Sequence, residues 1–273
     1  MTFRTAGARL FALSIGVGSV AQAAGPAITG VPVNLSAAKI VDLSHSFDEK
    51  TIYWPNAPSG FVLHRESFGR TAAGYFYAAN DFCTPEHGGT HLDAPIHFSE
   101  GKWTVDQIPL RQLIGPGVVI DVTAQAARNR DYRLTLDDVR AWEKRHGPVP
   151  EGAIVILRTG WAKHWPDRKA YLGDDVPGRT TNLHFPSYGR EAAEFLVRDR
   201  KVGAVGVDTA SIDYGPSADF IVHQTVLGMN VPGLENLADL SSLPDTGFWI
   251  IALPMKIGGG SGAPLRVAAI LPR

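Results

Sequence analysis

The sequence predicts a single mixed α/β domain with more strand than helix. Three observations carry that prediction. Residues 117–122, 154–159 and 202–207 are short apolar runs of strand length, rich in valine and isoleucine. Residues 135–145 and 187–200 repeat their apolar positions with helical spacing. The chain of 273 residues is long enough to bury one substantial core.

Taken in order, the chain starts with a separate element. Arg4 and Arg9 precede an apolar run from Leu10 to Val20, followed by Ala21-Gln22-Ala23. This is the layout of a secretory signal peptide, with cleavage expected after Ala23 and export to a bacterial periplasm. The apolar run is short for a bilayer span, and no cysteine follows Ala23 to carry a lipid. Residues 24–273 would then form the mature domain. Loss of Arg4 and Arg9 takes the net charge from −1 to −3.

Residues 24–34 read as an irregular leader and 39–44 as an alternating strand. Residues 61–68 and 75–82 are aromatic-rich strand candidates joined through 69–74. In 135–145, Thr135 is the expected N-cap, with Asp138 three residues on and Gly147 as the stop. The helix over 187–200 is expected to open at Ser187, with Ala192, Phe195 and Leu196 on its apolar face. Residues 248–253 and 265–271 close the chain as strands. No repeat or low-complexity tract interrupts this order, and no basic patch suggests a nucleic-acid surface. The single cysteine, Cys83, excludes an intramolecular disulfide and is expected to be a small buried residue.

One stretch concentrates the chemistry: His87-Gly88-Gly89-Thr90-His91-Leu92-Asp93-Ala94-Pro95-Ile96-His97. Its glycines and proline disfavour a helix. In an extended chain, side chains alternate, so His87, His91 and Asp93 would share one side, with His97 beyond the proline. Imidazole and carboxylate are ligands for zinc, manganese and non-haem iron. Several such groups on one face are costly to bury unless something pairs them, and a metal ion would. The glycines would permit close backbone approach of metal and substrate. Farther on, His223 and Glu235 are separated by a turn-rich return over 228–233 that could bring them together.

These residues resemble the H-x-G-T-H-x-D-x-P-x-H signature of the metal-dependent cyclase family, which includes bacterial kynurenine formamidases and isatin hydrolases. Every fixed position matches, and the similarity extends from about Lys39 to the C-terminus. The resemblance implies a β-barrel-like core with flanking helices, of the swivelling β/β/α type. It implies two divalent ions per chain, zinc first, with manganese and iron as alternatives. His87 and His91 would bind one ion and His223 the other, with Asp93 and Glu235 shared. His97 is the implied proton donor and acceptor, with a further metal ligand as its alternative role. Trp54 is the implied substrate contact, with core packing as the alternative. A homodimer or homotetramer is implied as well, in which Trp54 could serve a neighbouring site.

The activity expected from this resemblance is hydrolysis of a carbon–nitrogen bond in an aryl formamide by metal-activated water. Opening of a cyclic amide or lactone is the alternative, and a non-catalytic periplasmic metal- or ligand-binding protein represents another class. A polyketide-type cyclase or dehydratase is a third. Kynurenine formamidase belongs to intracellular tryptophan breakdown, so the export signal bears on substrate rather than on metal chemistry.

Three other features read as structural. Residues 258–262 (GGGSG) lack the positions of a nucleophile elbow or phosphate loop and read as a flexible turn. Asp208, Ser211 and Asp213 have no adjacent histidine to complete a Ser-His-Asp set. His45, His64, His146, His164 and His184 match no ligand position, and His146 reads as a partner for a helix C-terminus.

Overall fold

The computed structural model describes residues 34–272; the signal-peptide reading of residues 1–23 lies outside them. In chain order the strands are β1 (Lys39–Asp42), β2 (Val62–Arg70), β3 (Phe76–Cys83), β4 (His91–Asp93), β5 (Ile114–Asp121), β6 (Arg133–Leu134), β7 (Ile154–Arg158), β8 (Ser187–Tyr188), β9 (Ala204–Val207), β10 (Gly233–Glu235), β11 (Phe248–Pro254) and β12 (Gly262–Leu271). The helices are α1 (Leu110–Leu113), α2 (Thr123–Arg128), α3 (Leu136–His146), α4 (Arg168–Leu172), α5 (Arg190–Arg198) and α6 (Ile221–Leu227).

The apolar runs form the centre of one sheet, in the order β1-β12-β11-β5-β7-β9-β10-β4, and β4 pairs back onto β12. That last pairing closes β12, β11, β5, β7, β9, β10 and β4 into a barrel, while β1 extends one edge of β12. From β5 through β7 and β9 to β10 the strands run parallel; the remaining pairings are antiparallel. The expected β-barrel-like core with flanking helices is therefore present.

Strand alternation sorts the apolar side chains into two cores. Val119, Ile154, Ile156, Ala204, Leu92, Leu234 and Val267 fill the barrel. Val118, Ile120, Val155, Leu157, Val205 and Val207 point the other way, packing against Val139 and Trp142 of α3, Leu196 of α5 and Val226 of α6. Burial on both faces is why β5, β7 and β9 read as unbroken apolar runs.

Helix α3 has the expected ends. The Thr135 hydroxyl accepts from the Asp138 backbone N–H, the Asp138 carboxylate accepts from the Thr135 N–H, and Gly147 follows at φ 85°. The 187–200 expectation needs correction. Ser187 and Tyr188 pair with Arg133 and Leu134 as strands, and the helix starts only after Gly189. The Ser187 hydroxyl donates to the Ser211 carbonyl instead of capping a helix. Strands β2 and β3 form an antiparallel hairpin that, among the described residues, pairs with no other strand. Cys83 ends this hairpin and is exposed, not buried as expected.

Candidate functional site

Two short strands create the site. In the β4–β10 register, His91 lies opposite Glu235 and Asp93 opposite Gly233. Leu92 and Leu234 point into the barrel, so His91, Asp93 and Glu235 project from its outer face. Helix α6 brings His223 over them. The turn-rich return from α6 to β10 thus joins His223 and Glu235, with Nε2 3.2 Å from Oε1.

The two glycines before β4 are needed for protein packing. A Cβ at Gly88 would lie 2.0 Å from the Tyr53 ring, and one at Gly89 (φ 57°) 2.6 Å from Phe47. Gly88 also lines the cavity that holds the cluster. The segment is also locked across the chain. Thr90 Oγ1 donates to the Asn236 carbonyl at 2.7 Å, and the Asn236 side-chain amide donates to the Gly89 carbonyl at 2.8 Å. Extended geometry holds only over His91–Asp93; His97 sits on a 3-10 turn, Pro95–His97.

Asp93 is the hub. Its Oδ1 lies 2.7 Å from His87 Nδ1 and 3.2 Å from His91 Nε2, and its Oδ2 lies 3.1 Å from His223 Nε2. Glu235 Oε2 lies 3.5 Å from His91 Nε2, while its Oε1 accepts from the Ile212 backbone N–H at 2.8 Å. His87, Asp93 and His97 present nitrogen and oxygen atoms within 4.8 Å of one another, and so do His91, Asp93 and Glu235. The His97 ring stacks on His87 at 3.7 Å. The structure thus brings together His87, His91, Asp93, His97, His223 and Glu235, all six expected from sequence.

The electrostatics describe a site that calls for positive charge. Burial alone would raise the Asp93 carboxyl, but the charges of His87 and His91 hold it well below its ordinary range. Glu235 is pushed up by burial and by the neighbouring Asp93 charge. Burial opposes charge on His91 and His223, yet the carboxylates override it: Asp93 lifts His91 to about 9, and Asp213 and Asp93 raise His223. Two buried carboxylates thereby draw protons onto imidazoles. A divalent cation would do the same work through the same nitrogen and oxygen donors, so the residues fit a metal. His97 differs. Burial lowers it to about 4, against the smaller pull of Asp93.

Asp213 is a site residue that spacing did not reveal. Its carboxylate accepts from His223 Nδ1 at 2.7 Å and from the His223 backbone N–H at 2.9 Å, fixing the ring. Its pairing with a histidine ten residues away depends on α6 folding back, which no local pattern shows. The cluster opens into a cavity of 340 Å³. Ile52, Trp54, Pro85, Phe98 and Phe220 give it apolar walls, and Asn56 and Pro58 are its exposed rim. Trp54 both lines this cavity and packs edge-on to Phe185 at 6.4 Å. His45, His64, His146, His164 and His184 do not line it. His146 ends α3 and lies 3.3 Å from Asp245.

The "Putative cyclase" family model matches residues 41–214. The chain belongs to the cyclase family. It is 36% identical to isatin hydrolase of Roseibium aggregatum over 208 residues, covering 73% of this chain and 77% of that protein. It is 28% identical to kynurenine formamidase of Salinibacter ruber over 229 residues, covering 83% of this chain and 95% of the other. Among solved structures, isatin hydrolase A from Ralstonia solanacearum superposes with a TM-score of 0.78 at 37% identity, covering 86% of this chain and 93% of that one. Another, described as a potential metal-dependent hydrolase with cyclase activity, gives a TM-score of 0.63 at 26% identity, over 87% and 100%. These relatives place the cyclase-family chain among metal-dependent hydrolases.

Proposed function

We propose that this protein hydrolyses an amide bond whose nitrogen is carried by an aromatic ring. A cyclic amide of the isatin type is the first substrate class and an N-formyl arylamine the second. The observation carrying this reading is the buried His/Asp/Glu cluster opening into an aromatic-walled cavity, with the His97 ring stacked on His87 beside it. Flat aryl groups suit such walls, with Trp54, Phe98 and Phe220 available for face and edge contacts. The relatives named isatin hydrolase carry the higher identity, which favours the cyclic amide.

His87 and His91 would hold one divalent ion and His223 a second, with Asp93 and Glu235 shared between them. Zinc suits these donors first, and manganese or iron are the alternatives. When bound, the metal supplies Lewis acidity toward the carbonyl and lowers the pKa of water. Asp213 holds His223 through Nδ1, leaving Nε2 facing Asp93 and Glu235. His97, neutral at pH 7, accepts a proton from the attacking water. It then returns the proton to the nitrogen as the carbon–nitrogen bond breaks, giving an aryl amine and a carboxylic acid, which releases its proton to solvent. The test is turnover of isatin and of N-formylkynurenine by the mature chain, after chelation and after adding Zn²⁺ or Mn²⁺. Metal-restored hydrolysis of isatin is expected; failure on both compounds with metal bound would overturn the reading.

Residues 1–23 act in this reading as a signal peptide, leaving 24–273 as a periplasmic enzyme. No helix of the described residues is long and apolar enough to cross a membrane. The enzyme assembles as a homodimer, or a homotetramer built from such dimers, through the β2–β3 hairpin. Val62, Leu63, Phe68, Tyr75, Phe76, Tyr77 and Phe82 are 40–63% exposed there. Leu63, Phe68, Phe76 and Phe82 share one face of the hairpin in its register, and that is the face a second copy would cover.

A further inference from the structure

The 258–262 turn has no part in the chemistry assigned above, yet it touches the cluster. Ser261 Oγ lies 2.9 Å from His87 Nε2, on the opposite side of the ring from Asp93. The same hydroxyl donates to Glu86 Oε2 at 2.6 Å, and the Ser261 backbone N–H donates to that oxygen at 3.0 Å. The turn is held on both flanks. The Ala94 N–H donates to the Ser261 carbonyl at 2.8 Å, and the Val105 N–H to the Gly260 carbonyl at 2.9 Å. A Cβ at Gly262 would meet His87 Cε1 at 2.6 Å, so the backbone presses directly against the ring.

We infer that Ser261 and Glu86 form a positioning clamp that fixes the tautomer and ring plane of His87. The argument is a hydrogen count. A serine hydroxyl has one hydrogen, and here it is committed to the Glu86 carboxylate. Ser261 Oγ can then only accept from His87, which places the imidazole hydrogen on Nε2. With an ion bound, Nδ1 would offer its lone pair to the metal beside Asp93, as a ligand requires; without one, the Asp93 carboxylate accepts from Nδ1 at 2.7 Å. Because His97 stacks on His87 at 3.7 Å with the planes 19° apart, the clamp also sets the surface against which His97 rests.

This inference rests on the reading of His87 as a ligand, and the test separates the two. Zn²⁺ affinity of the mature chain is measured by chelator competition for wild type, Ser261→Ala, Ser261→Thr and His87→Ala. Expected is a loss of about 10–100-fold for Ser261→Ala, with substantial recovery in Ser261→Thr and unchanged melting of the metal-free protein. Wild-type affinity in Ser261→Ala alongside a defect in His87→Ala would overturn the clamp alone. Wild-type affinity in both would overturn the ligand reading as well. Nitrogen-15 NMR of the zinc-loaded wild type gives an independent answer, with His87 assigned from the His87→Ala spectrum. A hydrogen on Nε2 is expected, and one on Nδ1 would overturn the clamp even if Ser261→Ala failed to fold.

Discussion

The metal-ligand cluster and the β2–β3 hairpin break the same rule in opposite directions. One buries charged groups: Asp93, His91, His223 and Glu235 are each no more than 4% exposed. The other exposes large apolar groups on both strands of a two-stranded sheet. Buried charge calls for a counter-charge, and exposed apolar surface of this extent calls for a covering surface. Among the described residues, the buried carboxylates are met by imidazoles that take up positive charge in the place a cation would fill, whereas no other strand pairs with the hairpin. The two regions are also neighbours in sequence. The hairpin begins four residues after Pro58 of the cavity rim and ends at Cys83, four residues before His87.

The largest effect should come from the cluster's hub. Asp93 meets His87, His91 and His223, so Asp93→Ala removes a ligand from both proposed ions. Loss of several kcal/mol of metal assistance predicts at least about a 10³-fold fall in hydrolysis. Metal analysis should show less than one zinc per chain, against two in wild type, with Glu235→Ala retaining one. Two zincs in either variant would break the idea that Asp93 and Glu235 hold the pair together. His97→Ala comes next, with a fall of about 10²–10³-fold at unchanged zinc content. Lost zinc in that variant would make His97 a ligand, its alternative role.

Much of this contrast was legible in the sequence, though unevenly. The six clustered residues were visible because four lie within eleven positions and the other two flank one recognisable turn. Strands β5, β7 and β9 were visible because burial on both faces leaves an unbroken apolar run. Barrel closure was not, since it depends on three-residue strands, β4 and β10, whose short runs of His-Leu-Asp and Gly-Leu-Glu carry little periodic signal. Ser187 misled because a serine before an apolar-periodic run looks like an N-cap, whereas tertiary pairing with Arg133 claims it for a strand. Asp213 and Ser261 escaped because their partners, His223 and His87, are 10 and 174 residues away. The hairpin strands were read from their aromatics, but strand periodicity says nothing about whether both faces stay uncovered.

The apolar surface of the hairpin can be removed without touching the site. In Phe68→Glu with Phe76→Glu, two tip rings that pack edge-to-face at 5.3 Å become charged. The expected outcome is dissociation to a monomer by sedimentation velocity, with fold stability within about 0.5 kcal/mol per exposed position. Leu234→Ala, in the filled barrel, should instead cost about 2–5 kcal/mol. An unchanged oligomer would detach assembly from the hairpin. A monomeric wild type that binds anionic vesicles through these rings would replace the second copy with a lipid surface.

The smallest effect belongs to a buried histidine outside the cluster. His45 stacks on Trp165 at 4.1 Å, and its Nε2 is buried with no hydrogen-bond partner among the described residues. Burial lowers it to about 4 from an ordinary 6.5. Between those values the unfolded chain binds a proton that the folded chain refuses, so stability falls as pH drops from about 6.5 toward 4. His45→Phe keeps an aromatic ring against Trp165 and removes both the unsatisfied nitrogen and the titration. In chelator-treated protein, urea midpoints should agree within about 1 kcal/mol at pH 7, while the variant becomes the more stable protein at pH 4.5. Equal losses on acidification would show that His45 gains its proton in the fold as easily as in water. The acid sensitivity would then belong to the cluster, where the carboxylates draw protons onto His91 and His223.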